Sequence, residues 1–369
     1  MIDPLGLTQK QFSARAAELG RGPGQAVRDY QRVFRDGLLE EGAAKINLAP
    51  IVRELFEDNE DGPTVKFVQQ VDPVEPGTPP LEIESVIIPM IVRTGAHSRT
   101  LCVSSQVGCA LGCEFCETAQ MGLMRNLTAA EIVGQWFAAT HLKNVTIRNI
   151  VFMGMGEPMD NLDEVIQAIR VLTDHNGAAV PMNRITVSTV GRIDGLGRLG
   201  ELMRQPGWHR LGISVSVNAP NDEIRSTIMP INRSAPMAEL RQALLDLPGS
   251  NRRKIVIGYV LIPGVNDAPE HAAELADFLA PFGLTGSDRS PRGLVNVIPY
   301  NPRRDSPWRA PTEDEIDRFV TWLMENRMFV KRRRTKGRTQ MAGCGQLGNP
   351  GIRKRKFVEI GKKALGPGP

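Results

Sequence analysis

Residues 100–116 read TLCVSSQVGCALGCEFC, a short apolar run typical of a buried strand followed by three cysteines, Cys109, Cys113 and Cys116. Three thiolates at this spacing can bind one cubane iron–sulfur cluster, because each thiolate takes one iron and the fourth iron stays open. A structural zinc site would need a fourth protein ligand. Cys102 falls inside the predicted strand and Cys344 lies far along the chain, so the sequence favours a [4Fe-4S] cluster over zinc.

From about Arg99 onward, the chain alternates six times between a strand pattern and a helix pattern. The strands are predicted at 100–105, 149–153, 184–189, 211–217, 254–261 and 294–299. The helices are predicted near 128–142, 161–175, 195–204, 236–247, 269–281 and 312–326. Strands rich in Val and Ile, without polar alternation, indicate a sheet buried on both faces.

This alternation predicts an α/β fold with parallel strands and right-handed crossovers. Six units over about 230 residues fit an incomplete (βα)6 barrel better than a closed eightfold one, and a doubly wound sheet is the alternative. In either fold the chemistry lies in loops at the carboxyl ends of the strands. The three cysteines follow the first strand and so fall in such a loop.

The starts of several predicted helices carry capping residues. Thr128 with Glu131 and Thr312 with Glu315 fit the capping box, in which the two side chains satisfy free backbone N–H groups. Asn161 is a candidate cap for the second helix of the series.

The first 90 residues predict a small accessory unit of helices and short strands. Two amphipathic helical patterns, one opening at Leu7 and one at 24–35, precede strands at 64–68 and 83–88. The predicted domains are 1–90 for this unit, 91–335 for the partial barrel and 336–369 for a C-terminal tail that carries Cys344.

Charge is distributed unevenly along the chain. From Lys331 to the end there are twelve Lys or Arg and one acid, Glu359, so this part carries +11 and the first 330 residues carry −7 within a total of +4. A basic tail on an acidic body suggests a polyanionic partner. Residues 331–338 and 353–356 could contact phosphates and position an RNA, with the accessory unit as a second RNA-binding surface. A solvated terminus is the alternative.

The sequence predicts a cytoplasmic protein without a membrane partner. The first residues show no secretory signal, and the longest strongly apolar stretch, 255–265, is too short for a membrane span. Five cysteines, four of them within fifteen residues, make a poor disulfide framework and indicate metal or redox chemistry. We expect the chain to be a monomer.

The segment Gly154-Met155-Gly156-Glu157-Pro158 follows the second predicted strand. Backbone N–H groups exposed by glycines, together with a carboxylate, suit the amino end of an amino-acid ligand. Most glycine turns are simply turns, so the segment alone is weak evidence.

The C-x3-C-x-aromatic-C pattern, with Phe115 as the aromatic, resembles the signature of the radical S-adenosylmethionine (SAM) superfamily. Within that superfamily the chain is similar, over nearly its whole length, to the RlmN/Cfr family of RNA adenine methyltransferases. The similar segments are TLCVSSQVGCAL at 100–111, RNLT at 125–128, MGMGEP at 153–158, APND at 219–222 and CGQL at 344–347. The resemblance implies that the partial barrel is a radical SAM barrel.

The resemblance also implies a mechanism with two SAM molecules per turnover. Cys344 would take a methyl group from one SAM. The second SAM, bound to the open iron, would be cleaved by one electron to a 5′-deoxyadenosyl radical that removes a hydrogen from this methyl group. The carbon radical would add to adenine, and Cys102 would resolve the covalent adduct by forming a disulfide with Cys344. A low-potential electron donor such as flavodoxin or ferredoxin is implied.

Other site residues carry over from the resemblance. Glu84 matches an acidic residue that handles the substrate proton. The implied SAM contacts are Gly156, Glu157, Ser188, Ser216, Val217, Asn218 and Asn301. Asn218 stands where better-known members have a histidine. The alternatives are an exposed strand carboxylate for Glu84, strand-end capping for the serines, a buried small residue for Cys102 and a chance thiol for Cys344.

The chain departs from the family pattern at four places. Segment 90–99 is longer than usual, and a loop at 286–293 is extra. Glu117 stands in place of a serine, and the residues just before Cys344, 337–343, differ from the common version. These departures leave the RNA and the modified carbon open. We favour methylation of adenosine carbon 2 in large-subunit ribosomal RNA, with transfer RNA as a second candidate substrate. The alternatives are carbon-8 methylation of the Cfr type, a radical SAM enzyme with a non-RNA substrate, and a non-catalytic Fe–S protein that binds RNA.

Overall fold

The computed structural model describes residues 1–91, 95–248, 255–282, 293–349 and 351–352. Some features named above lie wholly or partly outside the described residues. They are residue 254 of the fifth predicted strand, residues 92–94 of the segment 90–99, residues 286–292 of the extra loop, and residues 353–369 of the tail with its basic run 353–356.

The chain begins with helices α1 (Gln9–Glu18) and α2 (Pro23–Asp36) and a short hairpin of β1 (Glu40–Glu41) and β2 (Ala44–Lys45). Three aromatic side chains are buried where the two helices pack, with ring centroids 5.6 Å apart for Phe12 and Tyr30 and 4.6 Å apart for Tyr30 and Phe34. The two predicted amphipathic patterns therefore form a helix pair.

Three antiparallel strands follow, β3 (Ile51–Glu57), β4 (Thr64–Val71) and β5 (Leu81–Ile91). The sequence pattern predicts β4 and β5 but not β3, because an irregularity between Ile51 and Arg53 interrupts the alternation of β3. β5 pairs antiparallel with β6 (His97–Cys102), so the strands of the accessory unit continue directly into the sheet of the barrel.

The other elements coincide with the six predicted strands and six predicted helices, apart from short additions. In order they are β7 (Gln106–Gly108), α3 (Glu117–Gln120), β8 (Leu123–Asn126), α4 (Ala129–Phe137), β9 (Asn149–Phe152), α5 (Leu162–Leu172), β10 (Ile185–Thr189), α6 (Ile193–Met203), β11 (Gly212–Ser216), α7 (Asp222–Ile228), α8 (Met237–Leu245), β12 (Ile255–Leu261), α9 (Pro269–Leu279), β13 (Gly293–Pro299), α10 (Glu313–Glu325) and β14 (Val330–Arg332). None of the helices in the described ranges has both the length and the apolar character that a membrane crossing requires.

Both predicted capping boxes form, at Thr128 before α4 and at Thr312 before α10. The prediction that Asn161 caps α5 is wrong, because its side chain makes no capping hydrogen bond. Its amide instead donates to the carbonyls of Ser105 and Leu127, both at 2.8 Å, and so ties α5 to the loop after β6.

Within the described residues, ten strands form one sheet in the order β14-β13-β12-β11-β10-β9-β6-β5-β4-β3. Pairing is parallel from β6 to β14 and antiparallel from β6 to β3. In this part of the chain the edge strands β3 and β14 do not pair with each other, so the barrel is open. The prediction of an incomplete α/β barrel is confirmed. The short, basic strand β14 is an addition that the sequence pattern does not predict.

The parallel strands place apolar and polar side chains on opposite faces of the sheet. On β10, Ile185 and Val187 belong to the main hydrophobic core, whereas Thr186 and Ser188 line the inside of the barrel. Because successive strand residues point to opposite faces, the interior receives a set of polar side chains while the helices cover the apolar face.

Residues 333–341, the crossing segment, run from β14 to the opposite edge of the sheet. Glu57, the last residue of β3, accepts the backbone N–H groups of Gly337 at 2.6 Å and Thr339 at 2.9 Å. Lys336 pairs with Asp61 and donates to the carbonyl of Pro89 at 2.5 Å. The crossing segment therefore spans the open side of the barrel and leads to Cys344.

Glu57→Ala should loosen the crossing segment, because two backbone N–H groups lose their acceptor at a cost of about 1 kcal/mol each. We expect amide hydrogen exchange at Gly337 and Thr339 to become about fivefold faster, since about 1 kcal/mol corresponds to that factor. Exchange in α10 should be unchanged. Glu40→Ala, which removes an exposed carboxylate on β1, is the control. If exchange at both amides were unchanged, Glu57 would not be what holds the crossing segment in place.

Candidate active site

The loop between β7 and α3 carries the three clustered cysteines. Gly108 has a φ of +76°, and a Cβ at this position would lie 1.8 Å from the carbonyl oxygen of Gly122. Only glycine fits this turn, and the next residue, Cys109, donates its N–H to the same carbonyl at 3.0 Å. From this turn the chain brings Cys109, Cys113 and Cys116 to one cleft at the carboxyl ends of the parallel strands, the cysteine cleft.

The three thiols fit a buried iron–sulfur cluster. Burial raises the pKa of each of them, that of Cys109 to about 12, so bare thiolates would be costly here. A bound cluster supplies the positive charge that keeps coordinating thiols deprotonated. In the described residues no three His, Cys, Asp or Glu side chains converge on the position of a single metal ion. Cubane ligands bind three different irons and need not converge in this way.

The glycine loop after β9 packs directly on the segment that leads to the cysteines. A Cβ on Gly154 would lie 2.6 Å from the carbonyl oxygen of Val103, and one on Gly156 would lie 2.6 Å from Cβ of Gln106. Gln106 also accepts the N–H of Glu157 at 2.8 Å. The two glycines thus allow a close approach that sets Glu157 beside the cysteine cleft.

Glu157 is 2% exposed and lines the cysteine cleft. Its carboxylate accepts the N–H groups of Met159 at 3.1 Å and Val190 at 3.0 Å. Burial outweighs these hydrogen bonds and raises the pKa of Glu157 to about 7. An amino group of a ligand in the cleft would be a favourable partner for this carboxylate, which fits the amino-acid end of SAM.

Three further predicted SAM contacts, Ser188, Ser216 and Asn218, line the same cleft. Asn218 has a φ of +58°, a conformation that asparagine tolerates better than most residues. Its Oδ1 accepts the N–H of Val260 at 3.0 Å, so the side chain also holds the end of β12.

Val217 and Asn301 do not line the cysteine cleft. The side chain of Val217 is fully buried in the main core. Its N–H donates to the carbonyl of Gly258, a residue that lines the cleft, at 3.0 Å, and its carbonyl accepts from Nε of Arg225 at 3.1 Å. Asn301 lies against the Cys344 loop, donating to the carbonyl of Cys344 at 3.3 Å and accepting from Arg338 at 3.0 Å.

A second space, the interior cavity, lies inside the barrel and is lined by both Cys102 and Cys344. Its volume of about 660 Å³ falls in the range of roughly 300–1,000 Å³ usual for ligand sites. Cys344 borders the cysteine cleft as well, whereas Cys102 borders only the interior cavity. Cys102 packs in one apolar cluster with Ala342 and Leu347 on either side of Cys344, and burial raises its pKa to about 12.

The loop 343–348, the Cys344 loop, is bound to the segment that carries the cysteines. The carbonyl of Gly345 accepts the N–H of Glu117 at 2.7 Å, and that of Leu347 accepts the hydroxyl of Thr118 at 2.5 Å. The Glu117 carboxylate, which departs from the family serine, accepts the N–H of Arg304 at 3.0 Å. This departure therefore adds an anchor to the site.

Glu84 on β5 lies in a buried ion pair and lines neither cavity. Its Oε1 is 3.3 Å from Nζ of Lys66 on β4, and its Oε2 accepts the N–H of Gly348 at 3.1 Å. Lys66 also donates to the carbonyl of Met341 at 3.1 Å. Burial raises the pKa of Glu84 and lowers that of Lys66. The positive charge of Lys66 partly offsets the rise at Glu84, and the negative charge of Glu84 partly offsets the fall at Lys66. The pair thus holds the end of the Cys344 loop at Gly348 and, through Met341, the end of the crossing segment that leads into it.

Several residues of the site are not predicted from the sequence. Ser214 and Asn296 line the cysteine cleft, and strand alternation could have identified Ser214, two residues before Ser216 on β11. Arg333 borders both spaces. No sequence signal distinguishes it from its basic neighbours, because only the path of the crossing segment turns it inward.

Comparisons with known proteins agree with this geometry. The sequence model of the Radical SAM superfamily matches residues 103–278. The chain is 40% identical over 366 residues to a probable dual-specificity RNA methyltransferase RlmN 1 of Protochlamydia amoebophila, covering 95% of this chain and 94% of that protein. It is 42% identical over 309 residues to the dual-specificity RNA methyltransferase RlmN of Geobacter sulfurreducens, covering 84% and 77%.

A solved structure is also similar. The crystal structure of a radical SAM methyltransferase from Sphaerobacter thermophilus superposes with a TM-score of 0.79 at 32% identity, covering 94% of this chain and 99% of that one. The resemblance inferred from the motifs is confirmed.

Lys66→Met should destabilise the protein by about 3–5 kcal/mol, because it leaves the Glu84 charge buried without its partner. Lys66→Met with Glu84→Gln, which removes both charges and keeps an acceptor for Gly348, should recover most of this loss. Denaturant unfolding of the purified protein measures both changes. A cost below about 1 kcal/mol for the single variant would show that the pair does not hold the loop.

SAM binding should weaken as the pH falls through about 7, the pKa of Glu157. An ionised carboxylate accepts a hydrogen bond from the amino group better than a protonated one, and the ionised fraction falls about eightfold from pH 7.5 to pH 6. We expect a comparable loss of affinity, measured by equilibrium binding to the anaerobically reconstituted protein. Glu157→Gln should bind weakly at both pH values, and a wild-type affinity that is flat with pH would contradict the role.

Proposed function

The chain belongs to the RlmN family of radical SAM RNA methyltransferases, and on that basis we propose that it methylates carbon 2 of an adenosine in RNA. The proposed substrate is large-subunit ribosomal RNA, with transfer RNA as the second substrate. The relatives are named dual-specificity RNA methyltransferases, and this name supports the proposal that the chain acts on more than one RNA.

The observation that carries the proposal is the place of Cys344 between two spaces. Cys344 borders the cysteine cleft, which is also lined by Cys109, Cys113 and Cys116. It borders the interior cavity as well, which is also lined by Cys102. A thiol at this junction can take a methyl group from SAM in the cleft and present it to a base in the interior cavity. The ring carbon of adenine is not nucleophilic, so a carrier that activates the methyl group is needed.

In the proposed site, Cys109, Cys113 and Cys116 would hold a [4Fe-4S] cluster, which when bound would supply an open iron for SAM and pass on the electron that cleaves it. Gly156 and Glu157 bind the amino end of SAM. Ser188, Ser216 and Asn218 contact the rest of the molecule, Val217 contributes its backbone, and Asn301 holds the Cys344 loop.

Cys344 and Cys102 act in sequence in this proposal. The Cys344 thiolate attacks the methyl carbon of one SAM, so that the new S–CH3 bond forms as the sulfonium S–CH3 bond breaks, and S-adenosylhomocysteine leaves with the electron pair of the broken bond. The methyl carbon on Cys344 would lose one hydrogen atom to the 5′-deoxyadenosyl radical and bond to carbon 2 of the base, which gives up one electron and its own hydrogen as a proton. The Cys102 sulfur then attacks Cys344, and the S–S bond forms as the S–CH2 bond breaks. The electron pair of the broken bond passes to the methylene carbon, which takes up a proton and becomes the methyl group on the base. Burial keeps the Cys102 thiol protonated at neutral pH, so this step requires a base at the cavity.

Glu84 is the proposed proton acceptor for the reaction. Because its carboxylate lines neither space and is bound to Gly348, this role requires the Cys344 loop to move. The proposed motion would break the contact between Glu84 and Gly348 and bring the carboxylate to the interior cavity.

We also propose the partners and organisation that fit this chemistry. A low-potential flavodoxin or ferredoxin would supply electrons, and the unit 1–90 and the tail 336–369 would bind RNA around the barrel 91–335. We propose a monomer acting in the cytoplasm, where its RNA substrates are made.

The test is anaerobic reconstitution with iron and sulfide, incubation with methyl-labelled SAM, dithionite and ribosomal RNA, and nucleoside mass spectrometry. Label at adenosine carbon 2 supports the proposal, whereas label at carbon 8 only, or no label in RNA, overturns it. Cys344→Ala should reduce methylation to background. Cys102→Ala should accumulate a covalent protein–RNA adduct, visible as a slow band under denaturing conditions. Normal turnover by both variants would exclude the two-thiol scheme.

A further inference from the structure

A surface groove of about 710 Å³ lies at the amino-terminal ends of the strands, opposite the cysteine cleft. Its lining includes Arg99 on β6, Arg148 just before β9 and Arg184 just before β10. The strand register brings these residues together, because the N–H of Arg148 donates to the carbonyl of Arg99 at 2.9 Å and Thr100 pairs with Asn149. We call this lining the arginine groove.

Within the described residues, the three guanidinium groups have no carboxylate partner. In the part of the chain that the structure describes, none of them forms an ion pair, and their side-chain contacts are with neutral oxygens. Arg99 donates to the carbonyl of Ser98 at 3.4 Å, and Arg184 contacts Oδ1 of Asn149 at 3.5 Å. Three adjacent positive charges repel one another, so the groove is built to attract an anion.

The basic side chains of the interior cavity are partly paired. Arg332, Arg334 and Lys336, which line it, each pair with a carboxylate. Lys331 and Arg333 also line it and form no ion pair within the described residues, so unpaired positive charge is present both in the arginine groove and in the adjoining cavity.

A buried hydroxyl is a second sign that the arginine groove is a binding site. Ser98 lines the groove and is 7% exposed, yet its Oγ has no hydrogen-bond partner. A buried polar group without a partner costs about 1–3 kcal/mol. An anion oxygen in the groove would accept this hydrogen bond and remove the cost.

The arginine groove adjoins the interior cavity. Arg184 lines both spaces, and Thr100 and Asn149 line the cavity next to it. Along β6, Arg99 precedes Cys102 by three residues, about 10 Å of strand. An extruded nucleotide can span such a distance, with its phosphate at the strand start and its base near the thiols.

We propose that Arg99, Arg148 and Arg184 bind a phosphodiester of the RNA beside the target nucleotide, so that the base enters the interior cavity from the amino-terminal end of the barrel. Arginine suits this task because its planar fork matches phosphate oxygens. Such contacts position the RNA without reading its sequence. The inference rests on the proposed function, since it identifies where the RNA substrate binds.

The test compares RNA binding by Arg148→Gln, at the most exposed of the three arginines, with binding by the wild-type protein. The probe is a synthetic hairpin with a single-stranded adenosine in its loop, titrated by fluorescence anisotropy over a range of salt concentrations. Loss of one phosphate contact should weaken binding and reduce the slope of log Kd against log salt by about 0.7–0.9. Ser98→Ala should weaken binding with the slope unchanged, because it removes a neutral donor.

Two control variants keep the test specific. Arg198→Gln removes the same charge from an exposed arginine on α6 that pairs with Asp163, and it should change neither affinity nor slope. Arg148→Lys keeps the charge and should restore the slope. An unchanged slope in both Arg148→Gln and the double variant Arg99→Gln/Arg184→Gln would overturn the proposal. Failure of the proposed function is separately visible, as absence of carbon-2 label with the wild-type protein.

Discussion

The contact between α3 and the Cys344 loop is the constraint on which the site depends. Two hydrogen bonds, from the N–H of Glu117 to Gly345 and from the hydroxyl of Thr118 to Leu347, join the loop to the residues just after Cys116. In this structure the bonds place Cys344 beside the three clustered cysteines, at the border between the cysteine cleft and the interior cavity. The same loop is held from other directions by Asn301, which donates to the carbonyl of Cys344, and by Glu84, which accepts the N–H of Gly348.

The sheet supplies the frame for this contact. β6 pairs parallel with β9 on one side and antiparallel with β5 on the other, so Cys102 at its end stands between the barrel and the accessory strands. The buried pair of Lys66 and Glu84 on those strands bonds to the backbone at Met341 and Gly348, on either side of Cys344. The accessory unit thus supports the active site through the backbone on either side of Cys344.

Much of the fold could be predicted because it follows from local patterns. Runs of Val and Ile marked the six main parallel strands, and Thr–Glu pairs marked the starts of α4 and α10. β3 and β14 could not be predicted, because an irregularity in one and the basic composition of the other hide the strand pattern. The three clustered cysteines could be found from their spacing, whereas the GMGEP loop needed the family resemblance to be identified as part of the site. Lys66 and Arg333 could not, since their roles depend on chain segments more than 200 residues away.

The crossing segment has a consequence for the order in which the molecule is assembled. Glu57 bonds to Gly337 across 280 positions of sequence, a very long-range contact. During synthesis, the barrel frame and its three clustered cysteines emerge long before the residues that cover the open side. The contacts that hold the crossing segment over the open side of the barrel therefore cannot form until residues 333–341 have been made.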